Sequence, residues 1–374
     1  MKISSNFDSG NIELISIDAP EDIQLKVRKD SNSDFLQWFH YRLIGAAGYP
    51  CKMKIINAHE CSYPLWKDYQ AVASYDKKNW FRVPTSYDGK SLIIDHMPIY
   101  NSIFYAFFAP YSYEQHLNLV SKAQESDLCV LKYAGETIEG RNIDMLIVGE
   151  PDKNKKNIWI IARQHPGEPM AEWFMEGLIE RLLDENDPVS RKLTDKAVFF
   201  LVPNMNIDGS INGNLRSNAA GKNLNREWEN PTEESSPEVY HIKNQMDEYG
   251  VDLCLDIHGD ESLPYNFISG NEGNPSYSER IKKLEEDFSN FWLKISPDFQ
   301  NEFGYEKDKP GTANLGICSN QIGERFDCLS LTVEMPFKDN KNMPDPVYGW
   351  SADRSKRLGE SVLNVIIDIV DKLR

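Results

Sequence analysis

NIWIIARQHPGEPMAEWF, residues 157–174, runs from one kind of secondary structure into another. NIWIIA is almost wholly large and apolar, which reads as a buried strand. Met175, Leu178, Ile179 and Leu182 then recur at helical spacing. Between strand and helix stand His165 and Glu168, three apart, with Pro166 and Gly167 between them. Turns at the carboxyl ends of strands in α/β sheets are where such folds present reactive groups. This stretch therefore predicts both an α/β fold and a place to look for chemistry.

The same rhythm holds on both sides of it from about residue 128. LCVLKYAG, DMLIVG, AVFFLVPN, DLCLDIHG and LSLTVEMP read as strands, and helical patterns cover about 170–184, 235–249, 277–294 and the chain from about 354. Alternation of this kind predicts a sheet between layers of helices. The first 120 or so residues differ. IELISI, FLQWFHYRLIG, CKMKIIN, NWFRVP and LIIDHM are short apolar or alternating runs separated by polar, Gly, Pro and Asp clusters, the pattern of an antiparallel β-sandwich. The expected division is a sandwich domain over 1–122 and an α/β domain over 123–374. The join, SYEQHLNLVSKAQES, is not rich in Gly or Ser, so the two domains should pack together.

Composition narrows the function classes. The 374 residues carry a net charge of −17 with 26% charged and 40% hydrophobic residues, and basic clusters are lacking, which argues against a nucleic-acid partner. No run of about 18 apolar residues is present, so no membrane span is expected. MKISSNFDSGNIELI lacks the apolar core of a secretion signal. Six scattered cysteines form no CxxC pair, which indicates neither a disulfide framework nor a thiolate metal site. A reduced, cytoplasmic protein is the simplest reading.

His258 ends the strand-like VDLCLDI and precedes Gly259, so it too lies where a strand gives way to a loop. With His165 and Glu168 it makes a set of two histidines and one carboxylate. A catalytic zinc takes three protein ligands of these types and leaves a position for water. Taken singly, a strand-end histidine is more often a structural residue, and HxxE recurs by chance. PNMNIDGSINGNLRSNAAGKNLNREW, between these groups, reads as an asparagine-rich loop of more than twenty residues bearing Arg216 and Arg226. Loops of that length are usually functional, and the planar fork of Arg suits a carboxylate or an oxyanion. A polar surface loop with solvated arginines is the alternative. In LSLTVEMPF, Glu334 interrupts an apolar strand. A carboxylate there needs a partner or a raised pKa, and beside an activated water it would serve as a general base.

In this order the motifs resemble those of the M14 metallocarboxypeptidases, and within them the cytosolic carboxypeptidase subfamily. HPGE is similar to the HxxE metal motif, NIDG to NPDG, and NLNREW to the Asn-Arg pair. GNLRSN supplies the loop arginine, DIHG the third ligand and LTVEMPF the strand with the catalytic glutamate. FDSGNI, WFHYRL and FFAPYSYEQHL resemble the sandwich domain of that subfamily and the junction after it. The resemblance implies an α/β/α catalytic domain with a mixed sheet and one Zn2+ held by His165, Glu168 and His258. It implies Glu334 as base, Arg216 at the oxyanion, Asn225 and Arg226 on the substrate's terminal carboxylate, and Tyr305 as the mobile tyrosine.

The implied activity is a zinc-dependent exopeptidase acting on a peptide or protein C-terminus. If specificity follows the subfamily, acidic terminal residues are preferred, with Lys307, Lys309 and Arg325 to receive them. GTAN (311–314) stands where eukaryotic members tend to carry GTGR, an arginine-bearing loop. Two other readings remain: an N-acyl amino acid deacylase of the aspartoacylase type, and a catalytically silent binding module.

Overall fold

A computed structural model describes all 374 residues. Its second half is built on a seven-stranded mixed sheet, whose strands lie in the order Cys129–Glu136, Asn142–Val148, Ala197–Val202, Lys156–Ala162, Leu253–Asp260, Leu329–Pro336 and Phe267–Ser269. The four from Ala197–Val202 to Leu329–Pro336 run parallel, and the others pair antiparallel. Parallel strands are covered on both faces, which is why these four read as nearly unbroken apolar runs. Successive side chains of a strand point to opposite faces. Ile158, Ile160 and Ala162 join a core with the helices Met170–Leu182, Glu279–Ile295 and Ala352–Ile369, whereas Trp159 and Ile161 join one with Pro237–Tyr249 and Cys318–Phe326. The result is the expected α/β/α layering. Two helices were not expected: Pro188–Lys196, capped by the Asp187 side chain with Pro at its first position, and Cys318–Phe326. Both are nine residues long, too short for apolar periodicity to announce them.

The first half holds two five-stranded sheets. Inward residues alternate along strands such as Cys51–Ile55, where Cys51, Met53 and Ile55 are buried. Tyr41 of one sheet stacks on Tyr105, and its hydroxyl lies 3.3 Å from Met53 Sδ of the other. The pairing is antiparallel except between Asp22–Lys26 and Cys51–Ile55, which run parallel.

The join is a helix, Tyr113–Ala123, opened by a capping box between Ser112 and Gln115. It packs on the α/β half, so we place the division between Ala106 and Tyr113 and assign the helix to the second domain. As expected, the domains share one hydrophobic core, with Phe107 stacked on Phe337 at 4.4 Å. No helix is long and apolar enough to cross a membrane.

Candidate active site

The carboxyl ends of the parallel strands meet the chemistry. Past Ala162 the backbone turns at Arg163, which takes a left-handed conformation with φ of 57°. The buried Arg163 guanidinium donates to the carbonyls of Pro166 and Tyr111 and to Glu172, bracing the HPGE turn from behind. His258 lies near the end of Leu253–Asp260 and is paired in register with Glu334 on the next strand. His165, Glu168 and His258 converge: their candidate ligand atoms all lie within 4.8 Å of one another. His165 Nδ1 is 2.7 Å from Glu168 Oε1, His258 Nδ1 is 2.8 Å from Glu168 Oε2, and the two Nδ1 atoms are 3.2 Å apart.

Two imidazole nitrogens facing each other across a carboxylate suit a cation between them. The far side of each ring agrees. His258 Nε2 lies 2.9 Å from Asp256 Oδ2, and His165 Nε2 lies 3.0 Å from Asn223 Oδ1. An oxygen acceptor at Nε2 fixes the proton there and leaves Nδ1 free to ligate, the usual outer support of a metal-binding histidine. Burial first, then the Arg216 charge, pulls His165 down to about 4, whereas at His258 Asp256 and Glu168 outweigh burial and pull it up, the same attraction for positive charge that a cation at Nδ1 would meet. This set fits zinc.

Glu334 is buried, with Oε2 unpartnered and Oε1 3.0 Å from the Tyr305 hydroxyl. That hydroxyl also lies 2.7 Å from Asp260 Oδ2. Burial pushes the Glu334 carboxyl well above the usual range, against the pull of His258. Tyr305 is half exposed yet turns its hydroxyl to Glu334.

The asparagine-rich segment is not the structureless loop expected. It contains a short helix, Ile207–Asn212, and a 3-10 turn, Leu224–Arg226. Its asparagines take the place of regular hydrogen bonding: Asn206 caps Gly209 N and donates to the Gln164 carbonyl, and Asn214 donates to the Ser217 carbonyl. Arg216 projects from the arm between them, with Nη1 3.9 Å from Glu168 Oε1. Its guanidinium lies 5.3 Å from the Tyr63 ring and 6.0 Å from the Phe35 ring, both from the first domain. Asp30, also of the first domain, accepts from the backbone N–H groups of Leu215, Arg216 and Ser217 at 2.6, 2.7 and 2.9 Å. Gly221, at φ +84°, sits so close to Asn32 that a Cβ would come within 2.2 Å of its carbonyl oxygen.

A cavity of about 510 Å³ opens over these groups, lined by the triad, Glu334, Arg216, Asn225, Arg226 and Tyr305. Arg226 holds its guanidinium against the Asn225 carbonyl. The Asn225 side-chain oxygen accepts from Cys318 N, and its amide nitrogen lies 3.3 Å from His258 Nε2, which keeps its own proton for Asp256, so an Asn225 N–H is left to spare for a ligand. Lys307, Lys309 and Arg325 do not line this cavity; Lys307 is paired with Glu272 and Arg325 with Asp247. Sequence reasoning missed Asp256, Asn223, Asp260, Glu261, Asp30 and Tyr63. Asp256 was within reach, since it stands two residues before His258 and so on the same face of its strand.

Residues 3–108 match the family model of the cytosolic carboxypeptidase N-terminal domain, and residues 113–346 match that of zinc carboxypeptidase. A metallo-carboxypeptidase from Burkholderia cenocepacia superposes with a TM-score of 0.97 at 50% identity, over 99% of both chains. One from Pseudomonas aeruginosa, solved in complex with (2-guanidinoethylmercapto)succinic acid, gives a TM-score of 0.97 at 45% identity over the whole of both chains. Cytosolic carboxypeptidase 6 of Caenorhabditis elegans is 25% identical across 89% of this chain and 78% of its own.

Proposed function

The chain belongs to the zinc carboxypeptidase family M14, in its cytosolic carboxypeptidase branch, and from that premise we propose that it removes residues one at a time from the C-terminus of peptides or proteins, using one zinc held by His165, Glu168 and His258. The observation that carries this reading is the pair of Nδ1 atoms 3.2 Å apart over Glu168, with Glu334 in register beside His258. Zinc, when bound there, supplies a Lewis acid that polarises the scissile carbonyl and makes water more acidic. The remaining work falls to the chain's own side chains. Glu334 takes a proton from the attacking water and returns it to the departing amine. Its buried, unpartnered Oε2 is the atom free to do so. The Tyr305 hydroxyl, shared with Asp260, holds its other oxygen. Arg216 donates to the carbonyl oxygen as negative charge gathers there. Arg226, with the spare N–H of Asn225, holds the terminal carboxylate, and only a chain end can satisfy it while its last peptide carbonyl reaches the triad.

An acidic terminal side chain would find no cation waiting. Beyond Arg216 and Arg226 the cavity wall is Ser269, Asn320, Thr332 and Ser319, with Glu306 and Asp308 on the loop after Tyr305. We therefore favour polar or basic terminal residues. The P. aeruginosa relative's ligand, which joins a guanidino group to a succinate, agrees with that choice. Six free cysteines, all buried, suit a reducing compartment, and we read the protein as cytoplasmic. The test is a set of peptides differing only at the last residue, each as free acid and amide. Release of the last residue from the free acids alone is expected, fastest for Lys, Arg, Asn or Gln. Equal cleavage of the amides would remove the carboxylate clamp, and fastest release of Glu would restore the acidic preference.

A further inference from the structure

Glu261 has no place in the mechanism above, yet it is only 8% exposed and lines the active-site cavity. Its Oε1 is buried and without a hydrogen-bond partner. A carboxyl withdrawn from water either pairs or keeps its proton, and burial pushes this one up to about 8, so it would ionise fully only when a cation enters the cavity beside it. Arg216, the cation that shares this part of the cavity, feels the Glu261 charge most strongly but makes no direct contact with it; its Nη1 lies 3.9 Å from Glu168 and its guanidinium 5.3 Å from the Tyr63 ring.

The position along the substrate follows from the clamp. With the terminal carboxylate on Arg226 and the scissile carbonyl between the triad and Arg216, the preceding residue must continue past Arg216. Glu261 is on the Arg216 side of the cavity: it follows directly on the strand Leu253–Asp260 that carries His258, lines the cavity with Arg216 and Tyr63, and is the carboxylate whose charge bears most on Arg216. Tyr63 of the first domain stands at the same end of the cavity, facing Arg216 and Glu261.

We propose that Glu261 receives a positive charge carried by the substrate residue just before the scissile bond, either the free α-ammonium of a dipeptide or a Lys or Arg side chain in a longer peptide. This rests on the carboxypeptidase reading and adds an upstream preference to it. A charge-assisted hydrogen bond of this kind selects by roughly 10- to 100-fold over a neutral group.

The experiment uses the full-length, metal-loaded enzyme and three substrates: Ala-Xaa, acetyl-Ala-Xaa and acetyl-Lys-Xaa, where Xaa is the residue released fastest from long blocked peptides. The wild type should show a kcat/KM at least about tenfold higher for one or both cationic substrates than for acetyl-Ala-Xaa. A gain for Ala-Xaa alone identifies the α-ammonium, and one for acetyl-Lys-Xaa alone the side chain. In Glu261→Gln, which keeps shape and hydrogen bonding, the three values should converge, mainly through a higher KM for the cationic substrates. No preference in the wild type, or an equal fall for all three in the variant, would overturn the proposal; the latter would make Glu261 an orienting group for Arg216. If no peptide of any kind is cleaved, the carboxypeptidase reading fails and this inference with it. Cleavage without charge preference removes this inference alone.

Discussion

The two domains meet at one cavity and supply it in different ways. The α/β domain delivers side chains from the ends of buried parallel strands, where His258 and Glu334 are fixed by backbone that cannot shift without opening the sheet and His165 by the turn that Arg163 braces. The sandwich domain delivers none of the proposed ligands or the base. It holds the arm that carries Arg216, chiefly through Asp30 on three successive backbone N–H groups, with Asn11, Ser31 and Asn32 on the arm to either side, and it walls the guanidinium with Tyr63 and Phe35. One region positions by hydrogen-bonded sheet, the other by a clasp on a segment without a sheet of its own. Disturbing each should therefore fail differently.

The largest effect belongs to the sheet. His165→Ala and His258→Ala each leave too few donors for a three-ligand site, so metal and activity should vanish together, with the Arg216 arm still docked on Asp30. Metal analysis of the purified variants checks this, and stoichiometric zinc in the double variant would end the assignment. Glu334→Gln separates the base from the ligands: zinc should stay while turnover falls by at least about 10²-fold. Loss of zinc there would make Glu334 a ligand instead.

The clasp comes next. Arg216→Ala should lower kcat by roughly 10² to 10³ with KM little changed, as for other single oxyanion donors. Asp30→Ala frees the three N–H groups and should reproduce a good part of that fall, roughly tenfold or more, with zinc retained. Asp30→Asn keeps one acceptor oxygen and should lie between. Because Asp30 is argued to act through Arg216, the double variant should be no slower than Arg216→Ala alone. Additive losses would show that Asp30 stabilises something other than the arm.

The same contrast explains what the sequence discloses. His165, Glu168, His258 and Glu334 are legible because each stands where an apolar run stops or is interrupted, a local pattern with a physical cause. Arg216 is legible only as an arginine with no apolar reason for its place. The arm itself was misread as plain loop, because asparagine side chains replace the regular hydrogen bonding that sequence periodicity detects. Asp30 was out of reach. In VRKDSNSD it is one turn aspartate among others, and its partner Leu215 lies 185 residues away. Tyr63 is hidden for the same reason. Lys307 and Arg325 show the converse error: charge near a motif in sequence was taken for charge near the site, whereas local carboxylates neutralise both.

The smallest effect on turnover, and the sharpest test of how the joining helix is anchored to the α/β domain, is at His116. It lies on the joining helix, fully buried, with Nδ1 2.8 Å from Glu172 and Nε2 3.1 Å from Asp144. Glu172 in turn accepts from Arg163 behind the HPGE turn, so this network ties the join to the metal turn without touching substrate. Burial alone would lower the His116 pKa, but the two carboxylates outweigh it and raise it to about 9. Its value in the unfolded chain is about 6.5. The folded state thus binds the proton more tightly, and stability falls with pH wherever it holds more protons than the unfolded state. The contribution should be whole below about pH 6.5 and drain away as pH rises through about 9, for a total of at most ~3 kcal/mol. Denaturant midpoints of the wild type and His116→Gln, measured from pH 6 to 10, should therefore converge as pH rises, with kcat near pH 7 little altered. Parallel curves would mean that the histidine is neutral in its pocket, and that hydrogen bonding alone, without charge, ties the joining helix to the rest of the α/β domain.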